Sequence, residues 1–215
     1  MSDIGADPAV TGRERDFERF LTFVDAIVAI AITLLVLPLV DVAGALSSGG
    51  SVAELVSDNT GQIGAFFLSF LVIANLWLSQ HRVLRHVIAA SEWLTRLLLL
   101  WTLTIVVLPF PTALVAGHDA GDQAATKLLY VGTMAASSLV LSLICLEIRR
   151  NAALRDSDDR PDVVRGFATF GAFVVVLVLM LAVPALSYWP LLLLFVPDRL
   201  VAVWRRRRGS TARSA

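Results

Sequence analysis

Six long apolar stretches alternate with shorter polar segments along the chain. They cover residues 20–40, 60–80, 94–116, 126–148, 166–186 and 189–204. A bilayer core requires about 20 apolar residues at a rise of 1.5 Å each, which the first five stretches supply. The sixth is shorter and carries Pro197, Asp198 and Arg199, a pattern that favours a kinked or partly interfacial helix. The pattern predicts an all-α, polytopic membrane protein with six transmembrane helices.

The composition agrees with a membrane protein, since 57% of the residues are hydrophobic and only 17% are charged. The positions of the basic residues predict how the chain is oriented in the membrane, because Lys and Arg near the ends of a span resist translocation. With a cytoplasmic N-terminus, 17 of the 18 basic residues fall in cytoplasmic segments, and Lys127 is the exception. The sequence therefore predicts that both ends lie in the cytoplasm.

The chain divides into one membrane domain and two tails. We assign residues 1–18 to an N-terminal cytoplasmic tail, 19–205 to the six-span domain and 206–215 to a C-terminal cytoplasmic tail. Pro109 and Pro111 are expected to end or kink the third helix near the outside. The single Cys145 excludes a disulfide within one chain, and no cofactor or fixed metal site is predicted.

The first span combines an apolar stripe with one acidic residue. Residues three, four and seven apart share one helix face, so Ile30, Thr33, Leu34 and Leu37 form a stripe. Asp25 lies five residues before Ile30, about 140° round the helix, and points away from the stripe. A carboxylate near membrane depth costs on the order of 2.5–3.5 kcal/mol, so Asp25 is expected to have a partner.

These residues carry a family resemblance. The first span resembles that of the prokaryotic branch of the transmembrane protein 175 family of potassium channels, with an R-x-x-x-F-S-D start and an apolar run that contains Thr. This chain has Arg19, Phe23 and Asp25 at that spacing, with Val24 in place of the usual Ser. Residues 77–82, W-L-S-Q-H-R, and 108–114, L-P-F-P-T-A-L, are similar to the family's second-span and third-span endings. The resemblance covers the first three spans.

The resemblance implies a potassium channel in the plasma membrane of a prokaryote. It implies a homotetramer in which the stripe of each first span faces a central pore. It also implies a structural network that braces the first span against the second. The residues of that network are Arg19, Phe23, Asp25, Trp77 and His81. The expected partners are further copies of the chain, permeant K⁺ ions and membrane lipids, with no nucleic acid.

An apolar pore implies selection by dehydration. Rings of Ile and Leu offer a cation no carbonyl oxygens in exchange for its lost water. Potassium holds its hydration shell less tightly than sodium, so a narrow hydrophobic selectivity filter is expected to favour K⁺ modestly. Thr33 is the one stripe side chain that could coordinate a partly dehydrated ion. Slight closure of the same rings would dewet the pore and gate it.

Other interpretations stay open on the sequence alone. Such a stripe on a membrane helix is usually a packing or lipid-contact surface. The same pore could conduct protons, or the protein could be a secondary transporter, although neither repeat symmetry nor a polar broken helix is evident. An enzyme is not expected, because no catalytic motif organises Asp25, His81 and His118.

Overall fold

The protein is helical throughout the part of the chain that the structure describes. A computed structural model describes residues 8–44, 51–85, 87–89, 91–116, 123–155 and 161–183. The α-helices in these residues are α1 (Pro8–Leu34), α2 (Leu37–Gly44), α3 (Val52–Asp58), α4 (Thr60–Leu84), α5 (Glu92–Val107), α6 (Pro109–Ala116), α7 (Gln123–Arg150) and α8 (Val163–Ala182). A short 3₁₀ turn, Ala152–Leu154, follows α7.

Five segments of the described chain are long and apolar enough to cross a membrane. They are Arg15–Asp41, Thr60–Leu84, Glu92–Val115, Ala124–Arg150 and Val163–Ala182, which correspond to the first five predicted spans. The predicted sixth span, at 189–204, and the C-terminal tail lie outside the described residues. Helix α1 begins at Pro8 and so includes residues 8–18 of the segment assigned to the N-terminal tail.

Helix α7 occupies the centre of the bundle. In the most apolar 18 residues of its span, 61% of the residues are buried within the protomer, against 22% in the first and last of the five apolar spans. It packs against α4, α5, α6 and α8. Its buried side chains include Tyr130, Met134 and Ile144, which join Trp101 of α5 in the hydrophobic core. The outer faces of the remaining spans stay apolar and exposed, as expected where a lipid or another subunit covers them.

Helix α8 approaches α7 closely at Gly166. A Cβ atom placed on Gly166 would lie 2.9 Å from the Ser142 hydroxyl oxygen and 3.4 Å from the Ser142 Cα. Glycine at this position therefore lets the two helix backbones come together, a common device of membrane helix pairs.

Two spans are broken within three residues before a proline. In the first span, α1 ends at Leu34 and α2 begins at Leu37, and the Leu35 N–H donates to the Ile32 carbonyl at 3.3 Å. In the third span, α5 ends at Val107 and α6 begins at Pro109. Proline has no N–H to donate into the preceding turn, which explains each break. The break at Pro109 agrees with the sequence prediction.

The loop after α4 and the segment after α7 lie at the same end of the bundle. Val87 and Arg155 form an antiparallel bridge, and the Ile88 N–H donates to the Leu154 carbonyl at 3.0 Å. Arginines are concentrated at this end, which we call the basic end. Its described arginines are Arg82, Arg85, Arg96, Arg149, Arg150, Arg155 and Arg165. The clustering agrees with the predicted charge asymmetry between the two sides.

Lys127, the one basic residue outside the predicted cytoplasmic segments, is buried. Its side chain is 6% exposed, and its ammonium group lies 3.5 Å from the Met180 carbonyl oxygen. Met180 is in the last turn of α8, where carbonyls lack partners within the helix and attract cations. Lys127 thus has a local structural role, which explains its position away from the basic end.

Candidate functional site

The predicted stripe of the first span lies on the surface of the protomer. Ile30 is 58% exposed, Leu34 40% and Leu37 54%. Thr33, between them, is exposed as well. The opposite side of the same span is buried in the core through Val24, Val28, Ala31 and Leu35. The first span therefore has one face packed within the protomer and one apolar face free to meet another molecule.

Thr33 presents an oxygen acceptor on this face. Its hydroxyl donates to the Ile30 carbonyl at 2.7 Å. A threonine hydroxyl has one proton and two lone pairs, so this bond uses the proton and leaves acceptor capacity on the exposed oxygen. An oxygen with free lone pairs is a suitable ligand for a hard cation.

The break in the first span falls within the stripe. Leu34 ends α1 and Leu37 begins α2, with the Val36 N–H bonded to the Thr33 carbonyl at 3.2 Å. The tighter 3₁₀-type turn rotates Leu37 relative to a continuous α-helix. This break was not predicted from the sequence, although Pro38 was the available signal.

Asp25 has a partner on the second span, α4. Its carboxylate accepts a hydrogen bond from the Trp77 indole N–H at 2.9 Å, and the His81 Nδ1 atom lies 3.9 Å from the same oxygen. The Trp77 and His81 rings pack together with centroids 4.6 Å apart. A charged acceptor makes the indole bond stronger than a neutral one. Asp25, Trp77 and His81 form a polar cluster that joins α1 to α4 on a different face from the stripe.

Gln80 belongs to the same cluster and was missed by the sequence analysis. Its side chain is 1% exposed, and its Oε1 atom lies 3.3 Å from His81 Nδ1. A carbonyl oxygen can only accept, so the neutral histidine places its proton on Nδ1 when this bond forms. Gln80 directly precedes His81 but gave no periodic or motif signal.

Two residues assigned to the network lie apart from this cluster. Arg19 is exposed and makes no ion pair with Asp25 among the described residues. Asp25 lies six positions after Arg19, which places the two about 120° apart round α1 with about 9 Å of rise between them. Phe23 is 55% exposed. Within the protomer, both side chains remain available for contacts with another molecule.

The described part of the chain brings no three His, Cys, Asp or Glu side chains into one potential metal site. The candidate site consists of the exposed stripe and of the polar cluster that joins α1 to α4.

Together, these features define a polytopic α-helical membrane protein whose first span is anchored on one face and exposed on the other. Residues 19–109 match the family described as the endosomal/lysosomal potassium channel TMEM175. The matched range includes both the stripe and the polar cluster. The chain is also 31% identical over 141 residues to a curated potassium channel of Streptomyces collinus, an alignment that spans 64% of this chain and 67% of the relative. The chain belongs to the TMEM175 potassium channel family.

Proposed function

We propose that this chain is the subunit of a potassium-permeable channel. Family membership and the potassium channel of Streptomyces collinus support this function. The observation that carries the proposal is the exposure of Ile30, Thr33, Leu34 and Leu37 on a span whose opposite face is packed in the core. In the proposed homotetramer, four copies of this stripe surround a central pore.

Selection in this pore acts through the cost of dehydration. The apolar side chains of Ile30, Leu34 and Leu37 give a cation no oxygen ligands, so an ion that passes them loses water without full replacement. Sodium holds its water more tightly than potassium and pays the larger cost. Four Thr33 oxygens, with their protons committed to the Ile30 carbonyls, provide partial compensation. The expected result is a moderate preference for K⁺.

The polar cluster supports the pore from the outside of the ring. The bond from Trp77 to Asp25 ties α1 to α4 and limits rotation of α1 about its own axis. Neighbouring side chains on a helix point about 100° apart, so a modest rotation of α1 would turn the stripe away from the pore. Holding α1 in place keeps the stripe directed at the pore. We therefore assign Asp25, Trp77 and His81 a structural role with no direct ion contact. Arg19 and Phe23, exposed in the protomer, are proposed to contact the adjacent subunit.

The proposed location is the plasma membrane of a prokaryote, with both ends cytoplasmic. The basic end supports this orientation, because it gathers the arginines of two separate connecting segments at one end of the bundle. Anionic lipids of the cytoplasmic leaflet attract such residues by about 1 kcal/mol each. No cofactor takes part, and K⁺ is the permeant ion.

Ion flux in liposomes tests the proposed function. Purified protein in vesicles loaded with K⁺ should release K⁺ down its gradient, and Na⁺-loaded vesicles should discharge more slowly. Vesicles that respond only to a proton gradient would instead indicate a proton channel. Flux that requires a second, coupled ion would indicate a transporter, and either result would exclude the potassium channel.

A further inference from the structure

Three buried hydroxyl groups from three helices meet inside the bundle. The Ser69 hydroxyl oxygen of α4 lies 3.0 Å from the Thr112 hydroxyl oxygen of α6 and 2.8 Å from the Tyr130 hydroxyl oxygen of α7. Ser69 and Tyr130 are 0% exposed and Thr112 is 2% exposed. We call these residues the hydroxyl chain. Hydrogen bonds between membrane helices stabilise one packing arrangement, since no water replaces them there.

The hydrogen bonds of the hydroxyl chain have one consistent direction. Thr112 donates its only hydroxyl proton to the Leu108 carbonyl at 2.8 Å, so it must accept from Ser69. Ser69 has then used its proton and must accept from Tyr130. The chain therefore runs from Tyr130 through Ser69 and Thr112 to the Leu108 carbonyl, and it links α7 and α4 to α6.

The hydroxyl chain ends at the break in the third span. Leu108 separates α5 from α6, and its N–H donates to the Ile105 carbonyl at 3.2 Å in a shortened turn. Pro109 cannot donate to that carbonyl, so the helix has lost an internal restraint at this point. The hydroxyl chain supplies an external restraint on α6, one turn beyond the break.

The break in the third span lies close to the proposed pore helix. Helix α1 packs against both α5 and α6, and α2 packs against α4. Leu35, in the break of the first span, and Leu108 are both fully buried in the hydrophobic core that extends through the bundle. Because α6 packs directly against α1, we expect a shift of α6 relative to α4 to move the first span, which carries Leu34 and Leu37.

We propose that Ser69, Thr112 and Tyr130 are positioning residues that hold α6 across the Pro109 break and thereby control opening of the pore at Leu34 and Leu37. This inference rests on the proposed channel function. Breaking the hydroxyl chain leaves the side chains of the stripe the same, so the ratio of K⁺ to Na⁺ permeability in the open pore stays constant while the open probability changes.

Hydrogen–deuterium exchange tests the restraint without requiring conduction. Thr112→Val keeps the side-chain shape but removes the hydroxyl. Thr102→Val is the matched control, because Thr102 is similarly buried and, within the described part of the chain, its hydroxyl bonds only to the Leu98 carbonyl of its own helix, at 2.8 Å. The amide hydrogens of Phe110 and of residues 112–116 should exchange faster in Thr112→Val than in Thr102→Val, and Thr112→Ser should restore slow exchange. Equal exchange in all three variants would overturn the restraint.

Single-channel recording tests the consequence for the pore. Thr112→Val and Ser69→Ala should change open probability in the same direction, by about threefold, which is the scale of one interhelical hydrogen bond in a membrane. The double variant should resemble the stronger single variant, because both break one chain. If Thr112→Val and Ser69→Ala still conduct but have the same open probability as Thr102→Val, the proposed role of the hydroxyl chain is refuted. Absence of K⁺ current in the unmodified protein would refute the channel function itself.

Discussion

Trp77 donates its indole N–H to the Asp25 carboxylate at 2.9 Å, so two residues 52 positions apart in the sequence join the first span to the second. The Asp25 side chain is 36% exposed in the protomer, so it is neither fully solvated nor sealed in the core. A charge-assisted bond offsets part of the cost of placing this carboxylate near membrane depth. The acidic residue that is unusual in an apolar span is thus explained by its tryptophan partner.

Trp77→Phe should lower the stability of the purified protein by about 1–2 kcal/mol, because it keeps an aromatic side chain but removes the N–H donor to a charged acceptor. The measurement is the temperature at which the detergent-solubilised protein loses its monodisperse elution peak. Trp93→Phe is the matched control, since Trp93 is 56% exposed. A midpoint for Trp77→Phe equal to that of Trp93→Phe would show that the bond to Asp25 contributes nothing.

Gly166→Ala should destabilise the α7–α8 pair. The added methyl group would lie 2.9 Å from the Ser142 hydroxyl oxygen, and overpacking of this kind costs about 1–3 kcal/mol. Gly171→Ala on the same helix is the control, because a Cβ there meets no atom within 4 Å. Heat denaturation in detergent should separate the two variants. If both tolerate heating equally well, the close approach of α8 to α7 is incorrect.

Thr33→Val should reduce K⁺ conductance while preserving assembly. The substitution keeps the shape of the side chain and removes the exposed oxygen that compensates for lost ion hydration. Thr33→Ser keeps that oxygen and should conduct nearly as well as the unmodified protein. Single-channel conductance in planar bilayers provides the comparison. A conductance unaffected by Thr33→Val would mean that ions pass without contacting this hydroxyl.

Ile30→Asn and Leu34→Asn should weaken the discrimination between K⁺ and Na⁺. An amide oxygen in the constriction replaces some of the water that a sodium ion loses, so the dehydration cost falls more for Na⁺ than for K⁺. Reversal potentials with K⁺ on one side and Na⁺ on the other measure the change. Leu103→Asn makes the same chemical change on an exposed position of α5 and should leave the reversal potential unaltered.

Hydrophobic periodicity and charge predicted the helical architecture and the first five spans. These features depend on local sequence, because a membrane-spanning helix satisfies its own backbone hydrogen bonds. The family resemblance, and not residue spacing, indicated that Asp25 lies near Trp77 and His81. A stripe pattern alone does not tell whether an apolar helix face is exposed or packed. Ile30, Leu34 and Leu37 are exposed because the opposite face, formed by Val24, Val28 and Leu35, is the one buried in the core.

The contacts that were missed join distant parts of the chain. Ser69 meets partners 43 and 61 residues away, and a serine or threonine in an apolar run carries no signal that names its partner. The burial of Lys127 depends on the end of α8, which no property of Lys127 indicates. The break before Pro38 was the one omission with a local signal, because proline removes a helical donor wherever it occurs.

The most direct test of the proposed pore is the accessibility of Leu34 from the conduction pathway. Leu34→Cys places thiols on the stripe, and the unmodified protein, whose single Cys145 is buried, serves as the control. If four stripes surround a water-filled path, Cd²⁺ added to open channels should block the Leu34→Cys current, a chelator should restore it, and the control current should not change. A Leu34→Cys channel that conducts K⁺ normally in Cd²⁺ would show that this face of the first span meets lipid or protein, and the proposed pore would be wrong.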